Sequence, residues 1–359
     1  MAGAENGGSG RAALRALIAR DGSRPVIVAS VFTPYQLLVL ERILGEAGAF
    51  DGLVIDQRPE KFRRNRPADV PGAQVIEASL TGSVVQADQR RLLRETLSRI
   101  ETFVGERRFV FMCASFAWGL NNLVLARFRR RGRARFVMIE DGLSTYIEAG
   151  QAAQGRLRNL AREVVRRLKG EPARALYSGH SLGLDLPEVE GIVTGSPDVP
   201  HAPGRNFVVL PPAAIDEAAP RDPGAVLFVG QPYLRDYGEG AIRRFAERSA
   251  AFLRNRGATR IDFKPHHFQT SEEIGLYLDQ GFALYDPPMA VEEVIGASDH
   301  RVIASCNTTA LITGRILLGG AIEAIAFDPV AFRPAQETRE PADVEALFRR
   351  FDVEIVHLS

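Results

Sequence analysis

Glu140, Asp141 and Gly142 end an apolar run, residues 134–139. In α/β folds, ligands sit outside the carboxyl ends of the strands. Neighbouring acids push one another's pKa upward, which suits a base that takes a proton from a hydroxyl nucleophile near neutral pH. Gly142 lets a backbone approach closely. Equally, acids at a strand end cap the helix that follows.

Two more polar clusters follow apolar segments: Lys264, Pro265, His266 and His267, then Asn307, Thr308 and Thr309. His266 is either a solvated loop residue or a donor to a leaving phosphate, with Pro265 stiffening its approach. Hydroxyls at a helix start cap it, and the same N–H groups and dipole attract a phosphate. Gly230 and Gln231 form either an ordinary turn or one open to a nucleotide. Three polar clusters at three strand ends point to one composite site.

Other chemistries lose ground. Side chains at adjacent positions diverge, so His266 and His267 make a poor metal pair, and no metal site is expected. There is no G-x-G-x-x-G and no G-x-x-x-x-G-K-[ST], which disfavours dinucleotide oxidoreductases and P-loop NTPases. Ser178, Gly179, His180 and Ser181 read as a loop. Lysines and arginines number 45 against 44 acids, which gives no reason to expect a nucleic-acid partner. Two cysteines, Cys113 and Cys306, fit a reduced cytoplasmic protein without a disulfide framework. No apolar stretch has the length of a membrane span.

The elements that must position these residues alternate. A strand at 25–31 leads to Thr33 as N-cap, Pro34 at the first helical position, and a helix bearing Leu37, Leu40, Ile43 and Leu44. A strand at 52–55 follows, then a helix at 91–103, a strand at 109–112, a helix at 118–131 and the strand before Glu140. Residues 197–223, rich in proline and alanine, read as a connection that contains a short strand, 207–210. Beyond it, strands at 225–230, 260–264, 283–285, 300–304 and 324–327 alternate with helices at 240–254, 271–280, 291–297 and 308–318. Such β-α-β order calls for parallel sheets with right-handed crossovers. The expected fold is α/β of the GT-B plan, two facing Rossmann-like domains. Residues 1–20 are expected to be a disordered or short helical segment, 21–200 the first Rossmann-like domain, and 201–359 the linker and second Rossmann-like domain.

Arginines crowd residues 127–135, and a second basic group lies at 156–169 opposite an apolar face. That face either packs on the core or lies on an anionic membrane. Peripheral contact with the inner face of a membrane is the corresponding expectation.

In order and spacing, these motifs resemble the bacterial sialyltransferases of the lipooligosaccharide and capsule polysialyltransferase type. Glu140-Asp141-Gly142 matches their D/E-D/E-G motif. His266 matches the histidine of their H-P motif, with His267 in place of the proline. Thr308-Thr309, followed by Ala310-Leu311, looks like their S-S/T pair, and Thr33-Pro34-Tyr35-Gln36 is also similar to their opening.

The resemblance implies an inverting, metal-independent transferase. It would use a CMP-sugar as donor substrate and no cofactor, moving sialic acid or a related nonulosonic acid to a surface glycan or glycolipid. Asp141, with Glu140 the close rival, would be the base, and His266 would assist departure of the CMP phosphate. An acid after Pro287-Pro288 binds ribose in related enzymes; Glu293 is the better match and Glu292 the alternative. The nucleotide-binding set is then Gly230, Gln231, Lys264, Pro265, Glu293, Glu292, Asn307, Thr308 and Thr309. The acceptor side is Gly142, Thr33, Tyr35 and Gln36. Alternatives are a GT-B enzyme using a UDP or GDP sugar and a non-catalytic nucleotide-binding protein of capsule assembly.

Overall fold

The computed structural model describes residues 6–18, 24–65, 68–78, 86–117, 119–146, 163–165, 174–177, 179–195, 206–209, 220–266, 268–287, 289–329, 331 and 341–358. They form two compact units, Met1–Pro211 and Pro212–Ser359.

The first unit contains α1 (Asn6–Ile18), β1 (Val26–Val31), α2 (Pro34–Ala47), β2 (Asp51–Asp56), α3 (Glu60–Asn65), β3 (Ala73–Glu77) and α4 (Gln86–Val104). These are followed by β4 (Phe109–Cys113), α5 (Gly119–Phe128), β5 (Ala134–Ile139), α6 (Leu143–Tyr146), β6 (Val189–Thr194) and β7 (Asn206–Val209). Its seven strands are parallel, in the order β3-β2-β1-β4-β5-β6-β7. β1 and β4 are buried along their whole length, so they read as unbroken apolar runs. The strand order reverses between β1 and β4, which opens a crevice at their carboxyl ends.

α2 starts where the sequence directs. Thr33 is extended at φ −121°, ψ 154°, and its hydroxyl accepts the Gln36 N–H at 3.1 Å, with Pro34 following. Leu37, Leu40 and Ile43 are fully buried against the sheet. Each contributes on the order of 1.5–3 kcal/mol.

The N-terminal segment is helical from Asn6, and Leu14, Leu17 and Ile18 bury in the same core as α2. The short strand of the proline-rich connection is β7, which pairs with β6 and carries the first unit through Pro211.

The second unit contains β8 (Asp222–Val229), α7 (Leu234–Tyr237), α8 (Glu239–Asn255), β9 (Arg260–Lys264), α9 (Ser271–Leu278) and β10 (Ala283–Leu284). It continues with α10 (Val291–Ala297), β11 (His300–Ser305), α11 (Thr309–Leu318), β12 (Glu323–Phe327), α12 (Pro341–Arg350) and β13 (Val353–Val356). Its six parallel strands run β10-β9-β8-β11-β12-β13, so the order reverses between β8 and β11. Phe228 centres its core, with the rings of Phe263, Phe282 and Phe327 at 6.2, 5.1 and 6.3 Å. Toward the amino ends of the strands, His300 Nε2 and Asp262 Oδ2 meet at 2.8 Å across the intervening β8.

Candidate active site

In the first unit, the acidic pair sits at the end of β5, and two of its partners, Tyr35 and Gln36, come from the helix after β1. Glu140 is 1% exposed. The Tyr35 hydroxyl donates to its Oε1 at 2.8 Å and the Gly195 N–H to its Oε2 at 2.6 Å. Burial raises the Glu140 pKa, while bonds from Gly195, Tyr146 and Tyr35 oppose the rise. Both oxygens are engaged, so Glu140 is fixed in place.

Asp141 is partly exposed. Gln36 Nε2 donates to its Oδ1 at 2.5 Å, and Gln36 Oε1 accepts the Phe32 N–H at 2.8 Å. A backbone N–H can only donate, so Phe32 forces the amide oxygen toward itself and the NH₂ toward Asp141. The Asp141 N–H donates to Thr145 Oγ1 at 2.7 Å. Gly142 follows at φ 61°, a left-handed conformation that favours glycine. Burial pushes the Asp141 carboxyl up to about 7; the Gln36 bond pulls it down and the Glu140 charge adds to the rise. Of the two acids, Asp141 is the more exposed, and Glu140 the one with both oxygens engaged.

In the second unit, three adjacent strand ends carry the other clusters. A Cβ at Gly230 would collide with Gln269 Oε1 and lie 2.7 Å from the Phe263 ring. The missing side chain therefore makes room for the Gln269 carboxamide. Lys264 Nζ donates to Asp286 Oδ1 at 2.5 Å and to the Pro287 carbonyl at 3.0 Å, so it braces the loop after β10. Pro265 and His266 are partly buried, and His266 Nδ1 accepts the Phe268 N–H at 3.3 Å. Phe268, 72% exposed, has its ring 5.5 Å from the imidazole.

After β11, Thr308 caps α11, its Oγ1 accepting the Ala310 N–H at 3.3 Å, and Thr309 opens the helix. Asn307 is 7% exposed, yet neither Oδ1 nor Nδ2 has a hydrogen-bond partner among the described residues. A buried carboxamide left unpaired costs about 1–3 kcal/mol. It lies next to the N-terminus of a ten-residue helix, where an anion is favoured. On α10, Glu293 Oε2 accepts the Ala290 N–H at 2.9 Å and so caps the helix. Burial pushes Glu292 up to about 7, its own backbone hydrogen bond opposing and the Glu293 charge adding.

No family profile matches the sequence. No curated protein matches it either. Solved structures match along nearly the whole chain. A Listeria monocytogenes protein assigned as a UDP-N-acetylglucosamine 2-epimerase aligns at TM-score 0.56 and 10% identity, over 94% of this chain and 85% of that one. The Neisseria meningitidis UDP-GlcNAc 2-epimerase bound to UDP-GlcNAc aligns at TM-score 0.53 and 11% identity, over 94% and 88%. Acinetobacter baumannii MurG gives TM-score 0.47 and 12% identity over 94% and 86%.

The chain has the GT-B fold.

Within this GT-B chain, Thr33, Tyr35, Gln36, Glu140, Asp141 and Gly142 come together in the first unit. Thr33 acts there as a helix cap, while Tyr35 and Gln36 hold the acids. The strand ends bearing Gly230, Gln231, Lys264, Pro265, His266, Asn307, Thr308 and Thr309 adjoin in the second unit. His267 lies outside the described residues, as does the basic segment 156–169 apart from residues 163–165.

Sequence reasoning missed Gln269, Thr145 and Tyr233. Gln269 Nε2 donates to the Gln231 carbonyl at 3.0 Å, and the Tyr233 hydroxyl reaches the Asn307 carbonyl at 3.4 Å, so the three loops are linked. Thr270, whose Oγ1 accepts the Glu273 N–H, fits a capping signature.

Residues 179–183 do spell G-x-S-x-G, but they lie in turns leading to β6 rather than on a strand-turn-helix elbow. Asp185 Oδ1 accepts the backbone N–H of His180, and His180 Nδ1 accepts the Leu182 N–H, so both side chains brace these turns. Among the described residues, no group of three or more His, Cys, Asp or Glu could hold a metal ion. No helix among them is long and apolar enough to cross a membrane.

Proposed function

We propose that this chain is a glycosyltransferase that moves a sugar from a nucleotide sugar to a hydroxyl acceptor, with Asp141 as the base. The observation that carries this reading is a partly exposed carboxyl at a strand end, oriented by Gln36, whose pKa burial pushes up to about 7. Such a group is matched to its task near neutral pH. Asp141 takes the acceptor proton as the acceptor oxygen bonds to the anomeric carbon. The bond from that carbon to the donor phosphate breaks, and the electron pair leaves with the phosphate. His266 and the N-terminus of α11 meet that developing charge. The sugar passes through an oxocarbenium-like state, and the reaction inverts the anomeric centre.

A UDP-sugar is the donor class supported by the solved structures of like fold, one of which holds UDP-GlcNAc. A CMP-sugar is the second reading, favoured by the order of Glu140-Asp141-Gly142, His266 and Thr308-Thr309. The sugar would then be sialic acid or a related nonulosonic acid, and the acceptor a surface glycan. The basic residues of 156–169 would draw the enzyme to an anionic membrane surface.

The test is a thermal-shift panel of CMP, UMP, UDP and GDP with EDTA, on wild type and His266→Ala. Stabilisation by UDP supports the first donor class and stabilisation by CMP the second, each weakened in the variant. No response to any nucleotide would overturn the transferase reading.

A further inference from the structure

We propose that Gln269 is the positioning residue that presents His266 to its ligand as an Nε2–H donor. Gln269 holds His266 from both sides: its Oε1 accepts the His266 N–H at 2.8 Å, and its backbone N–H donates to the His266 carbonyl at 2.9 Å. Its Nε2 anchors the turn to the Gln231 carbonyl at 3.0 Å, on the neighbouring strand end. The carboxamide fits because residue 230 is a glycine. Within the turn, the Phe268 N–H points at His266 Nδ1 at 3.3 Å. A backbone N–H cannot accept, so Nδ1 carries the lone pair and the proton of the neutral ring sits on Nε2. A leaving phosphate needs a donor of this kind. The inference thus rests on the proposed role of His266, but the tautomer can be measured without it.

The experiment is ¹⁵N NMR of the histidine side chains in the full chain, on wild type, Gln269→Leu and Gln269→Glu, with His266→Ala to assign the signal. At a pH where the ring is neutral, wild type should show the Nε2–H tautomer alone. Gln269→Glu keeps an acceptor for the His266 N–H and should keep that tautomer. Gln269→Leu loses it and should give a mixture of both. An unchanged tautomer in a folded Gln269→Leu, or a mixture in wild type, would overturn the proposal. Should Gln269→Leu fail to fold, a mixture in Gln269→Glu would do the same. If the tautomer behaves as expected while no nucleotide binds, the transferase reading fails and the positioning role stands.

Discussion

Gln36 Nε2 and Asp141 Oδ1 meet at 2.5 Å across 105 residues of chain, joining the helix after β1 to the end of β5. The orientation of that amide is dictated from behind, by the Phe32 N–H on its oxygen. The contact holds the carboxylate in direction and restrains its proton affinity, because the Gln36 bond lowers a pKa that burial raises.

Gln36→Leu removes both bonds at nearly constant volume. The Phe32 N–H loses its acceptor, so stability should fall by about 1–3 kcal/mol in urea denaturation. Without the amide, the Asp141 pKa rises further, and the acid limb of the kcat/KM profile should move above its wild-type position near pH 7. A limb that stays in place would show that Asp141 is not the group being titrated.

Asp141→Asn should separate stability from activity. An unfolded aspartate titrates at about 3.9, whereas burial pushes Asp141 up to about 7 in the fold. The folded chain holds the proton more tightly, so the carboxyl's stabilising contribution is complete below about pH 4. It is lost as pH rises through 7. Above that, the ionised group costs on the order of 1–4 kcal/mol. The amide can still accept from Gln36 and avoids this cost. The variant should match wild type near pH 4, gain on it up to pH 8, and lose turnover by about 10²–10⁴-fold. Equal stability at pH 8 would argue against a strained carboxylate.

Strand periodicity and helix caps made most of this fold legible. Thr33-Pro34 marked the start of α2, and the runs at 109–113 and 260–264 are buried strands. β3 escaped because it is an edge strand with most side chains at least partly exposed, which leaves no apolar alternation to read. The acids, the histidine and the threonine pair were singled out by residue type and by their places after apolar runs. Their supports were not: a glutamine three residues past a histidine has no signature of its own, and Gln269 acts only because β8 and β9 are neighbours. The bond from Lys264 was not legible for the same reason, since its partner Asp286 belongs to another strand's loop.

Thr308 both caps α11 and lines its anion-attracting end. Thr308→Val should cost about 1 kcal/mol of stability through the lost cap and weaken nucleotide binding as well. Thr308→Ser retains the oxygen and should restore both. Isothermal titration beside thermal melts separates the two effects. Loss of stability with unchanged affinity would leave Thr308 as a cap alone.

The two acids of α10 can be told apart because one already has a structural task. Glu293 Oε2 accepts the Ala290 N–H, so Glu293→Ala should lower the melting temperature, while Glu293→Gln should not. Burial pushes Glu292 up to about 7, so its ionised fraction grows as pH rises through neutrality. An ionised acid that binds ribose hydroxyls discriminates against a deoxynucleotide, since a missing hydroxyl leaves the carboxylate unpaired. With whichever nucleotide binds, Glu292→Gln should bring the affinities of the ribo and 2′-deoxy forms together, and that preference in wild type should grow from pH 6 to pH 8. Glu293→Gln should keep it. If Glu293→Gln erases the preference and Glu292→Gln does not, ribose recognition belongs to the capping residue.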